Sequence, residues 1–216
     1  ERFGPIKSRL IALNVHDAVM RLVEGSCDLL IAYHHSSHPF QLDPQRFEMV
    51  NLGQEVIAPY SRPLADGTPQ FLLPGRAGNP LAYLGYAPGA YLGQMVDLIL
   101  KQSPAPIHFD RVYETDMAEG LKAMAVEGHG VAFLPHSAVK KELRNRRLVS
   151  ALPPDMSGLQ LTMEVRAYRE RPSQLDGHRT QSVNGKSVAT SGKAKSASNR
   201  TQALWAYLLA TSTSDT

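Results

Sequence analysis

Two rhythms of apolar residues alternate along this chain: short continuous runs, and stripes at steps of three and four. Runs predict buried strands and stripes predict helices packed on them. The sharpest unit is Glu114 to Pro135, ETDMAEGLKAMAVEGHGVAFLP. Met117, Leu121 and Met124 form a stripe, Asp116 and Glu119 have the spacing of a capping box, and the helix is expected to start at Met117. Gly128 closes it, since glycine takes the left-handed cap conformation without steric cost. Val131 to Leu134 then reads as a buried strand.

The same pattern opens the chain. Arg9 to Leu13 reads as a strand; Val15, Val19, Leu22 and Val23 form a helical stripe after a cap at Asn14 and Asp17, closed by Gly25; Asp28 to Tyr33, DLLIAY, reads as a second strand. Further strands are expected at Phe47 to Ile57 (one or two, through Gly53), Phe71 to Leu73, Leu81 to Gly85, Ile107 to Tyr113, Leu148 to Leu152 and Leu159 to Tyr168. Leu92, Met95, Val96 and Ile99 mark a helix with Pro88 in its first turn. Ser137 caps one with Val139 and Leu143, and Ala203 to Leu209 is a final amphipathic helix. Helices between strands imply a mainly parallel α/β sheet, in which ligands sit beyond the carboxyl ends of the strands.

Composition adds bounds. With 216 residues, 43% hydrophobic and 20% charged, the chain has enough apolar surface for one domain or two small lobes. No apolar run reaches the roughly 20 residues that span a bilayer, and no signal-peptide pattern opens the sequence. Cys27 is the single cysteine, so an internal disulfide is excluded and a reducing cytoplasm is expected. The net charge of +3 invites a nucleic-acid reading. Pro172 to Gln202, however, holds Arg179, Lys186, Lys193, Lys195 and Arg200 against Asp176 alone, so the remainder is about neutral. That segment has few large apolar residues and is expected to be flexible.

Four stretches, VMRLVEGSCDLLIAY (Val19 to Tyr33), VIAPYSRPLA (Val56 to Ala65), Glu114 to Pro135 and ALWAYLL (Ala203 to Leu209), resemble in order and spacing the C-terminal effector-binding domain of LysR-type transcriptional regulators. The central and final stretches are also similar to hypochlorite-responsive members. The resemblance implies an α/β fold of two Rossmann-like lobes of the type 2 periplasmic-binding-protein kind, joined by two crossover strands, Val56 to Tyr60 and Leu159 to Tyr168, with an inducer in the cleft between them. The expected division is residues 1–56 and 160–216 for lobe I, with an insertion at 172–202, and residues 57–159 for lobe II. The family's first strand is expected upstream of Glu1. Carried over residue by residue, the cleft maps onto Tyr33, His34, Tyr86, Ala87, Thr115, Asp116 and Met117. The implied partners are a small-molecule effector or oxidant, further copies of the chain, which is expected to be a homo-oligomer, and DNA only through an N-terminal winged helix-turn-helix outside this sequence.

Against these expectations stand plainer readings. His34, His35 and His38 could ligate a metal, line the cleft through His34, or sit in a solvated loop. Met117 could meet an oxidant, its thioether becoming a polar sulfoxide, or fill the core like Met95 and Met124. Cys27 could be a redox sensor or an inert thiol. Asp116 could cap its helix or, with Thr115, bind a polar group. No P-loop, nucleophile elbow, dinucleotide fingerprint or spaced zinc set is present, Ser36, Ser37 and Asp43 are near histidines only in sequence, and neither an enzyme nor a cofactor is expected. The rival is a transport-type solute-binding protein, which shares the two-lobe plan.

Overall fold

The computed structural model describes residues 8–172 and 202–210. The chain runs α1 (Val15–Val23), β1 (Leu30–His34), β2 (Phe47–Ser61), β3 (Leu81–Tyr86), α2 (Tyr91–Lys101), β4 (Phe109–Thr115), α3 (Ala118–Val126), β5 (Val131–Pro135), α4 (His136–Arg144), β6 (Val149–Ser150) and β7 (Leu161–Glu170). A last helix, α5, covers 202–210. The chain forms two compact α/β units, with passage from one to the other at Gly53/Gln54 inside β2 and at Glu164/Val165 inside β7, and the short turn His35–His38 is also grouped with the second unit.

In the first unit the strand order is β1, β7, β2. Leu22 is the buried member of α1 and packs with Leu30, Ala32, Phe47 and Tyr168. Gly25 follows the helix at φ 74°, the conformation expected of a helix-ending glycine. A second cluster joins Val50 and Ala167 to Trp205 of α5. Trp205 donates its indole N–H to Glu48 Oε2 at 3.0 Å, and the Arg169 guanidinium lies 4.8 Å from its ring and 3.1 Å from Glu48 Oε1. The expected strand at Arg9 to Leu13 does not form. That segment is irregular, with Leu10, Ile11 and Leu13 exposed, because an alternating pattern makes a strand only where backbone partners exist.

In the second unit β3 pairs parallel with β4 and β5, while β2 joins antiparallel to β5 in the register Ile57 with Pro135 and Tyr60 with Ala132. The sheet is therefore mixed rather than uniformly parallel. All five residues of β5 are buried, and α3 packs on it through Leu121 and Ala125. The expected stripe through Met117 and Met124 is thus rotated: Met117 is 53% exposed, and the core filling predicted as its plainer role is taken by Leu121 and Ala125. Phe71 to Leu73 makes no strand; Leu73 is buried and its N–H donates to Ala151 O at 3.1 Å. Pro88 precedes α2 in a turn closed by Ala90 N–H to Ala87 O at 3.1 Å, so it lies outside the first helical turn. Residues 173–201 and 211–216, on which the expected flexible segment and frayed end fall, lie outside the described residues.

Candidate functional site

Parallel pairing brings two strand ends together in the second unit. Tyr86, last in β3, is registered with Thr115, last in β4, and the Ala87 N–H donates to Thr115 O at 3.0 Å. Thr115 turns the chain into α3: its Oγ1 accepts the Met117 N–H at 3.3 Å. Met117 holds the N-cap position with extended backbone, φ −103°, and the helix proper starts one residue later than predicted. The expected capping box is absent. Asp116 is exposed and makes no cap, while Glu119 turns to Lys122 at 2.6 Å. Gly120 sits over Thr115, where an added Cβ would come within 3.2 Å of Thr115 Cγ2, so a small residue lets the strand end and the helix approach.

Beside these strand ends lies a cavity of about 230 Å³, lined by Tyr83, Tyr86, Ala87, Gln94, Asp97 and Arg111 together with the small residues of the Pro88–Ala90 turn and Gly93. Arg111 is its charged wall. It donates to Tyr86 O at 3.3 Å, pairs with Glu114 at 2.8 Å and covers the Tyr83 ring at 5.5 Å. Tyr83 stacks on Phe109 with centroids 4.4 Å apart. Burial pushes the Tyr83 phenol up to about 12, with Arg111 opposing and Asp97 adding to the shift. A cation, a carboxylate and aromatic faces around one opening suit a polar molecule with an apolar body.

The sequence pattern missed a second cluster. Glu55, buried on β2, accepts the Ser137 N–H at 3.2 Å, the Ser137 hydroxyl and its neighbour Val56's N–H at 3.1 Å. This carboxylate occupies the N-terminus of α4, where backbone donors and the helix dipole favour an anion. Ser137 therefore binds Glu55 and does not cap the helix; the N-cap position is Pro135. Tyr60 meets His136 Nδ1 at 3.2 Å, and its phenol is pushed up to about 12, first by burial and then by Glu55. The only signal was a lone glutamate heading the buried run VIAPYS.

In the first unit Tyr33 and His34 close β1, both half-buried, and the His34 ring meets Phe40 edge-on at 6.0 Å. His35 and His38, grouped with the second unit, share a turn in which the His38 N–H donates to His35 O at 3.1 Å and His35 Nδ1 accepts from Ser37 at 3.2 Å. Among the described residues no group of three or more His, Cys, Asp or Glu converges as metal ligands would. Cys27 is half-buried, its thiol 2.9 Å from Leu29 O. Among the described residues no helix is long and apolar enough to cross a membrane.

The LysR substrate binding domain profile matches residues 1–177. HTH-type transcriptional regulator YjiE of Escherichia coli K12 is 28% identical over 160 residues, 74% of this chain and 48% of that protein. HTH domain-truncated transcriptional regulator QseD of Escherichia coli O157:H7 is 28% identical over the same length, 61% of that protein. The chain thus spans about half to three fifths of the curated relatives it matches. Among solved structures, the apo regulatory domain of HypT from Salmonella typhimurium superposes with TM-score 0.68 at 23% identity, covering 94% of this chain and 81% of that one. The full-length HypT structure, titled a hypochlorite-specific LysR-type transcriptional regulator, superposes at 0.63 with 28% identity, covering 77% of this chain and 54% of that one. A strand order with mixed pairing, helices on parallel strands and a profile match over most of the sequence place this chain in the LysR substrate-binding-domain family.

Proposed function

We propose that this chain is the effector-sensing part of a LysR-type transcription factor, and that it responds to a small molecule or an oxidant at the strand ends around Met117. The observation that supports this reading is the exposure of Met117, 53%, at the N-cap of α3, directly after Thr115 and beside the turn that starts at Ala87. An exposed methionine held at a helix start gains nothing from core packing, and its thioether is open to attack. Hypochlorite would transfer its oxygen to sulfur and leave as chloride, giving a sulfoxide whose polar S=O stands near the free N–H groups of the first helical turn. Tyr86, Ala87, Thr115 and Asp116 complete the proposed contact set in this unit, and Tyr33 and His34 take the corresponding strand-end role in the first. Cys27 is a weaker redox candidate, because its thiol is engaged with a backbone carbonyl.

Such a change at Met117 acts by favouring one of two arrangements of the protein, and the bias is passed through a cytoplasmic homo-oligomer to DNA-binding domains outside this sequence. Both curated relatives are named as transcriptional regulators, which favours this reading over solute transport. In the full-length regulator, Met117→Gln, a polar stand-in for the sulfoxide, is expected to shift reporter output several-fold without oxidant, and Met117→Ile to blunt the response to hypochlorite. Unchanged output in both variants would overturn the proposal.

A further inference from the structure

We propose that the second unit holds another ligand site, one for the phosphate group of a small anionic molecule, in the arginine-lined depression at the C-terminal ends of α3 and α4. The depression has a volume of about 320 Å³ and is lined by Arg62, Pro63, Val126, Glu127, Arg146 and Arg147. Its place in the fold separates it from the strand ends described above. Met117 is the N-cap of α3 and Glu127 its C-cap, so the helix sets the two sites about 15 Å apart along its axis.

Arginines near helix C-termini often serve only to satisfy carbonyl groups. That accounts for Arg62, which donates to Glu127 O at 3.3 Å, and in part for Arg147, 3.5 Å from the Glu127 carboxylate. It does not account for Arg146. The Arg146 side chain has no hydrogen bond or ion pair among the described residues. Its backbone stands at φ 54°, the sole non-glycine residue with positive φ among those described. The position follows the Asn145 C-cap of α4, and the motif is closed by backbone bonds alone: Arg146 N–H to Leu143 O at 3.1 Å and Arg147 N–H to Glu142 O at 2.8 Å. Glycine is the usual occupant of such a position, because any Cβ there is strained. Arg146 thus places a guanidinium where glycine would be less strained, and backbone strain of this kind clusters at functional positions.

Charge selects the ligand class. Three guanidinium groups against the single Glu127 carboxylate leave two positive charges, which match a phosphate near its dianionic form better than one carboxylate. The planar fork of arginine suits bidentate contact with phosphate oxygens.

The test is calorimetric titration of the 216-residue chain with inorganic pyrophosphate at low ionic strength. Saturable binding at one site is expected, weakened about tenfold in Arg146→Gly and in Arg147→Gln, and weakened further by added salt. Arg146→Gly should melt at the same temperature as the parent or higher, so its loss of binding would not be a loss of fold. Arg21→Gln, which removes an exposed arginine on α1, should bind as the parent does. Absence of binding, equal binding by Arg146→Gly, or equal weakening by Arg21→Gln would overturn the assignment. So would tighter, Arg146-dependent capture of a short DNA duplex in place of pyrophosphate.

Discussion

Trp205→Ala is expected to lower stability by about 4 kcal/mol, within the range for truncating a buried aromatic, and to do so in the first unit alone. Trp205 is 2% exposed and is the chain's single tryptophan. Its loss removes the apolar partner of Val50 and Ala167, the plane under Arg169 and the indole donor to Glu48. Trp205→Phe keeps most of the packing and drops the donor, so a smaller cost of about 1–2 kcal/mol is expected. Hydrogen exchange followed by mass spectrometry reads both changes by location. Peptides from Phe47 to Gly53 and from Val165 to Glu170 should lose protection, while Val131 to Pro135 in the second unit keeps it. Uniform loss along the chain would show that the two units unfold as one.

Gly130→Ala should cost roughly 3 kcal/mol, the upper end of the usual overpacking range, although replacing glycine by alanine commonly stabilises a protein. The reason is a backbone contact. A Cβ at Gly130 would lie 2.6 Å from Ala82 O and 3.0 Å from Leu84 Cγ, both on β3, the strand beside β5. A carbonyl held in a parallel ladder cannot move aside as a flexible side chain would. Gly158→Ala is the matched control: nothing lies within 4 Å of its added Cβ, and a neutral or slightly stabilising change is expected. A lowered denaturant midpoint for Gly130→Ala beside an unaltered one for Gly158→Ala would bear out the close approach of β5 to β3. Equal midpoints would contradict it.

What the sequence disclosed follows from how local each signal is. The helix over Val15–Val23, the strands at Leu30–His34 and Val131–Pro135, and the closing role of Gly128, at φ 82°, are set by short-range periodicity and steric rules. Arg9 to Leu13 failed because alternation says which face a strand would bury and nothing about whether a neighbour is there to pair with it. The capping box failed because spacing cannot tell that Thr115 Oγ1 takes the Met117 N–H while Glu119 is drawn to Lys122. Glu55 was invisible for a related reason: its partner Ser137 is 82 residues away, and only the antiparallel register of β2 on β5 brings them together. Tyr86 and Ala87 entered the candidate set through the family resemblance rather than through any local pattern, and the parallel register of β3 on β4 sets Tyr86 beside Thr115 on one edge. Arg111, which gives that edge its charge, sits among the exposed residues of β4, where nothing in the pattern singles it out.

If Met117 is the oxidisable group at the start of α3, partial oxidation reports it directly. Treating the chain with less than one equivalent of hypochlorite and mapping sulfoxides by peptide mass spectrometry should find Met117 modified well before Met95, Met156 and Met163, which are buried at 0%, 4% and 1% exposure. It should also lead Met20 and Met49, exposed at 42% and 46% but outside the helix start that would receive the sulfoxide oxygen. Sulfoxide at Met20 and Met49 with Met117 left intact would contradict the account.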